Sequence, residues 1–214
     1  MRNKTYSLTE ALKYLNISRD RLHYWIHRKR LIKPIVTGVG RGGRTRLSIE
    51  NLFQLQLIEE LLFMGIELNA VEKIISEKRK YPIYEAHTPN RVRIGFKSYN
   101  IYEFMKVIQK ENPEQEVVFL LEIWKDRAGK HFWDVLALGQ GEVPDLFFRL
   151  STININLSRL LLQLINNIAL INSCELFNEE KDIKMQCKKE VINIAKEFGI
   201  NINIEKYKRF FSIA

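Results

Sequence analysis

The stretch GVGRGGRTR, Gly38–Arg46, holds four of the chain's ten glycines, and Gly38, Gly40 and Gly43 stand at the spacing G-x-G-x-x-G. In a dinucleotide-binding fingerprint a strand enters such glycines and a helix begins at the last one, so that free amides face a pyrophosphate. Here RTRLS follows instead, with no helical spacing of apolar residues before Ser48, where SIENL opens a helix. The last glycine leads into extended chain, and the nucleotide reading fails on context. What remains is a hairpin. Its glycines accept positive φ at the turn, and Arg41, Arg44 and Arg46 offer planar forks to phosphates.

The residues before the hairpin say what it accompanies. SLTE, Ser7–Glu10, has the form of a capping box, and Leu8, Ala11, Leu12 and Leu15 recur at helical spacing as far as Asn16. This predicts a first helix over 8–15. Ser18 then caps a second helix in which Leu22, Trp25 and Ile26 form the packing stripe, while Arg19, Arg21, His23, Tyr24, His27 and Arg28 take the other faces. Two short helices joined by a turn, the second one basic, read as a helix-turn-helix. LIKPIV has a proline and branched residues that favour extended chain, so the glycine hairpin follows as a wing.

Beyond the hairpin, Leu52, Phe53, Leu55, Leu57, Ile58, Leu61 and Leu62 give the helix from Ile49 a broad apolar surface up to Gly65. NAVE, Asn69–Glu72, has the form of another capping box, and the helix it opens is stopped before Pro82. Pro82 and Pro89 bracket a short punctuated segment, so residues 81–97 are expected to be a linker. Ile101, Phe104, Met105 and Ile108 then mark a helix ended by Pro113. VVFLLEIW and FWDVLAL flank a glycine turn as a hairpin would, and STININ alternates as a half-buried strand. Helices over 157–171 and 179–198 close the chain. The expected fold is α+β: a winged helix-turn-helix over 1–80, a linker over 81–97 and a small α+β domain over 98–214 for dimerisation or an effector.

The charge is placed as unevenly as the glycines. The net charge of +9 is concentrated in residues 19–46, where nine basic residues meet Asp20 alone, whereas residues 81–214 carry 18 basic and 17 acidic residues. An anionic partner is expected at the basic segment. For Arg19, Arg21 and Arg28, position on the second helix beside an arginine wing favours DNA contact over a solvated face. His23 is balanced between a phosphate contact and an inert surface residue; Tyr24 suits a phosphate contact, whereas Trp25 lies on the core stripe.

Other chemistries find no support. Cys174 and Cys187 have no ligand-spaced partners and read as reduced packing residues, and His87 and His131 stand alone. Neither a metal nor a cofactor is expected. Glu122, Asp126 and Asp134 sit around the hairpin as solubilising carboxylates do, so no catalytic set emerges. The aromatics Phe119, Trp124, Phe132, Trp133, Phe147 and Phe148 suit packing better than an effector pocket, although a small-molecule effector stays open. The run Leu157–Ile171 is interrupted by polar residues, and no signal-peptide pattern opens the chain, so a cytoplasmic protein without a membrane span is expected.

YSLTEALKYLNISRDRLHYWIHRKRLIKP, the wing GRGGRTRLS and IENLFQLQLIEELLFMGIELNAVEKII, in that order, resemble the N-terminal DNA-binding domain of the MerR family over about residues 6–75. The sequence departs from the family at His23, where an arginine is usual before the aromatic pair, and at Leu47, where a tyrosine is common. Pro82 and Pro89 also stand where the family's pairing helix would run. The resemblance implies a transcriptional regulator on double-stranded DNA, acting as a homodimer, with Arg19, Arg21, His23, Tyr24, Arg28, Arg41, Arg44 and Arg46 as its DNA-binding residues. An excisionase-like or other accessory DNA-binding factor of a mobile element, also without catalysis, is the alternative.

Overall fold

The computed structural model describes residues 4–38, 44–76, 80–88, 91–100, 103, 117–125, 131–140 and 152–199. β1 (Tyr6–Ser7) runs directly into α1 (Leu8–Leu15). The Ser7 hydroxyl accepts from the Glu10 amide at 3.2 Å and the Glu10 carboxylate accepts from the Ser7 amide at 2.6 Å, which completes the capping box. Asn16 ends α1 in the left-handed region, at φ 50°. Ser18 caps α2 (Arg19–His23) through the Arg21 amide. The basic helix then widens into a π-helical turn over Tyr24–Arg28, with the Lys29 amide on the Tyr24 carbonyl at 2.9 Å. Leu22, Trp25 and Ile26 are all buried, as the apolar stripe requires.

β2 (Arg46–Leu47) pairs antiparallel with β1, Tyr6 opposite Leu47 and Ser7 opposite Arg46. Arg46 also exchanges two backbone hydrogen bonds with Val36, at 2.9 and 3.3 Å, and the Gly38 amide donates to Thr45 Oγ1 at 3.3 Å. The root of the expected hairpin is therefore present. Its tip, residues 39–43 with Arg41, lies outside the described residues.

α3 (Ile49–Phe63) begins at a second capping box, Ser48 with Asn51. Leu52, Phe53, Leu55, Leu57, Ile58 and Leu61 are each at most 1% exposed, and a helix apolar on nearly every side is one enclosed by its neighbours. At its end Gly65, with φ 82°, lets the Ile66 amide reach the Leu61 carbonyl and its own amide reach Leu62. This is the paired-bond helix stop that favours glycine. α4 (Leu68–Ile74) starts two residues earlier than expected: Glu67 is the capping residue, without a side-chain cap bond, and its carbonyl takes the Ala70 and Val71 amides.

β3 (Tyr81–Thr88), β4 (Arg91–Tyr99), β5 (Val117–Lys125), β6 (His131–Gln140) and β7 (Thr152–Asn156) form one sheet in the order β4-β3-β6-β5-β7. β5 pairs antiparallel with both β6 and β7, which gives the expected hairpin and strand. The segment 81–97, expected as a linker with some extended structure, lies in the paired strands β3 and β4, and β3 joins β6 in parallel through Ile83 and Tyr84. Pro82 is tolerated because it lies near the start of β3, outside the pairing with β6, where the β4 register shifts. The helix expected from Ile101 falls outside the described residues apart from Glu103, which exchanges capping bonds with Asn100.

α5 (Leu157–Leu176) follows β7 without a loop, and α6 (Glu180–Glu197) is closed by Gly199 at φ 67°. The chain packs as two units, Met1–Ile66 with Leu160–Ala214, and Glu67–Arg159. This grouping differs from the expected boundaries at residues 80 and 98. The cause is a set of contacts between distant segments: Tyr14 donates to Asn172 at 2.8 Å, Lys13 pairs with Glu175, and the rings of Phe53 and Phe198 meet edge to face at 6.3 Å. The last two helices thus complete the core of the N-terminal unit.

Phe198 is 3% exposed, so Phe198→Ala is expected to lower stability by about 3 kcal/mol through lost burial and a residual cavity. Urea unfolding measures the loss, and hydrogen exchange shows where it falls. Amides of α3 are expected to lose protection together with those of α6; a loss confined to 180–199 contradicts the shared core.

Candidate nucleic-acid interface

Three elements of the N-terminal unit enclose a groove of about 880 Å³. The first turns of α1 contribute Leu8, Thr9 and Leu12, the basic helix contributes Arg19, His23 and His27, and the hairpin root contributes Arg44 and Arg46. Each is held there by local structure. The Ser7–Glu10 box fixes the start of α1, the Ser18 cap fixes Arg19, and the ladders from Arg46 to Ser7 and Val36 fix the root. Thr45 is 8% exposed and its hydroxyl accepts from the Gly38 amide, and it lines the groove together with its two arginine neighbours.

A further network ties the chain leaving the basic helix to α3. Asn51 donates to the Lys33 carbonyl at 3.2 Å and to Gln54 Oε1 at 3.1 Å, while its own oxygen accepts from the Ser48 amide. Asn51 and Gln54 are buried polar side chains whose hydrogen bonds offset their desolvation. The hairpin root is thus anchored at both of its ends.

No carboxylate is among the described residues that line the groove, so the potential from three guanidinium groups is uncompensated within it. The rings of His23 and His27 lie 4.2 Å apart, centre to centre. Burial lowers the pKa of His27, and proximity to His23 lowers it further. A groove with this lining attracts anions and adds imidazole donors to fixed positive charge.

The structure gathers four of the sequence-derived residues, Arg19, His23, Arg44 and Arg46, on this groove. Tyr24 is 43% exposed and Arg28 is exposed, but neither lines it. Arg21 turns toward α3: its guanidinium lies 3.1 Å from Glu59 Oε1 and 5.2 Å from the centre of the Trp25 ring. That oxygen is buried and close enough for an ion pair, yet the alignment falls short of a hydrogen bond. Burial raises the Glu59 carboxyl pKa, and Arg21 opposes the rise. Thr9 and His27 were not singled out from the sequence as site residues. The four-residue step from His23 to His27, and the place of Thr9 in the first turn of α1, are the signals that locate them.

The arrangement is a helix-turn-helix with a paired hairpin root beside it. Residues 6–78 match the family described as MerR HTH family regulatory protein, so the N-terminal segment is a MerR-family helix-turn-helix domain. That family is one of DNA-binding regulators. No curated protein matches the chain. Among the described residues no helix is long and apolar enough to cross a membrane, and no group of three or more His, Cys, Asp or Glu side chains could hold a metal ion.

In this position Arg21 supplies Glu59 with a counter-charge. Arg21→Ala is expected to cost about 1 kcal/mol at neutral pH by leaving Glu59 without its counter-charge. Because the folded-state carboxyl pKa is raised, this penalty grows as pH rises through the carboxylate range and fades below it. Denaturant titrations at several pH values measure it, and Glu59→Gln in the Arg21→Ala background is expected to recover most of the loss. A penalty independent of pH and unrelieved by Glu59→Gln contradicts this role.

Proposed function

We propose that the protein is a sequence-specific regulator of transcription that binds double-stranded DNA through this groove and catalyses no reaction. The observation that carries the reading is the meeting of Arg19, Arg44 and Arg46 on one groove between a helix-turn-helix and a hairpin root, without a carboxylate among its described lining residues. In this reading the basic helix enters a major groove, with Arg19 and His23 toward base edges and phosphates, while Tyr24 and Arg28 meet the flanking backbone. Arg44 and Arg46, with Arg41 three residues before Arg44 in sequence, hold backbone or minor groove. Arg21 supports the helix from behind. The protein works as a homodimer in the cytoplasm, each copy presenting one basic helix to one half-site.

Arginine contacts to phosphates release counterions, so log affinity is expected to fall steeply and linearly with log salt, by about 0.9 for each phosphate neutralised. Arg44→Ala and Arg46→Ala are each expected to weaken binding to specific and random duplexes by similar factors and to reduce the salt slope by about 1. Arg19→Ala is expected instead to narrow the difference between specific and random duplexes, by about 1 to 3 kcal/mol if its contact is to a base edge. Fluorescence anisotropy with duplexes from the gene's own upstream region reads all three. Affinity that hardly responds to salt, or to any of these substitutions, refutes the groove as the interface.

A further inference from the structure

The start of the DNA-reading surface is gripped by the far end of the chain. Tyr6 is fully buried, its ring meets Tyr14 edge to face at 6.0 Å, and its hydroxyl faces Glu197 Oε2 of α6 at 3.4 Å. Next to it, the Tyr14 hydroxyl donates to Asn172 of α5 and Lys13 pairs with Glu175. Tyr6 stands opposite Leu47 in the two-residue ladder that also sets Ser7 opposite Arg46. A strand this short has little pairing of its own to hold its register. Its position is set by the capping box at Ser7 together with what holds Tyr6 from the other side, and Glu197 of α6 is part of that hold.

We infer that Tyr6 and Glu197 are positioning residues for DNA binding: α6 seats β1, β1 seats β2, and the seating of β2 sets where Arg46 presents its guanidinium in the groove. The inference rests on the DNA-groove reading above. The interaction is suited to a permanent hold. Burial, then the neighbouring Glu197 carboxylate, raises the pKa of the Tyr6 hydroxyl, which is a protonated donor at physiological pH even at its ordinary value. A buried hydroxyl that loses its acceptor is costly, which gives β1 a reason to hold the one position where Glu197 is within reach.

The test uses the full chain and four variants: Tyr6→Phe, Glu197→Gln, Arg46→Ala and the double variant Tyr6→Phe with Arg46→Ala. Tyr6→Phe keeps the ring and removes the donor. It is expected to weaken duplex binding roughly five- to tenfold, to lower the salt slope by about 0.9, and to add nothing further to Arg46→Ala. Glu197→Gln keeps an acceptor oxygen and is expected to stay within about twofold of the parent. If Tyr6→Phe does not fold, Glu197→Ala is read by the same three measures. A lowered melting temperature with parental affinity and salt slope at 25 °C, or fully additive losses with Arg46→Ala, overturns the inference while leaving the groove reading intact. If Arg46→Ala itself leaves binding unchanged, the groove reading fails first and the inference fails with it.

Discussion

Three guanidinium groups, those of Arg19, Arg44 and Arg46, share one groove in which no described lining residue carries a compensating carboxylate, and the rest of the N-terminal unit exists to hold them together. Like charges on a flexible chain would move apart, so the arrangement needs stiff supports. They are the Ser7–Glu10 box, the Ser18 cap, the buried stripe of Leu22, Trp25 and Ile26, and the double ladder through Arg46. Each lies just behind a groove residue. Among the described lining residues no carboxylate offsets this charge, which is the electrostatic character that suits a nucleic-acid interface.

The contrast between Arg19 and Arg21 shows what geometry adds to charge counting. Both are basic residues in the first turn of the same short helix, yet one lines the groove and the other lies over Trp25 against Glu59. A linear reading gave them the same role. The partner that separates them is 38 positions away and is identified only by packing. The π-helical turn is another case: nothing in HYWIHR marks a departure from regular helix.

What was legible in the sequence was legible because its causes are local. Ser7 with Glu10, Ser18, Ser48, Gly65 and Gly199 act on amides and carbonyls a few residues away, and the helix ends fall where those residues put them. Trp25 on its stripe is buried as read. What was missed has distant causes. Pro82 looked like a break because a proline removes a donor, but its place outside the β3-β6 pairing makes that donor dispensable. Asn172, Glu175, Glu197 and Phe198 looked like members of a separate domain because their partners lie more than 140 residues earlier, at Tyr14, Lys13, Tyr6 and Phe53. The DNA-binding unit is therefore assembled from two segments, one before and one after the sheet unit in sequence.

The central claim is that the groove formed by α1, the basic helix and the hairpin root meets duplex DNA. Hydrogen exchange of the full chain with and without duplex DNA from the gene's upstream region, at low and at high salt, tests it most directly. The account predicts that DNA at low salt slows exchange at the starts of α1 and α2 and across Arg44–Leu47, and that high salt removes the effect. Protection confined to the sheet strands over 81–99 and 117–140, with these N-terminal amides unchanged, would contradict it.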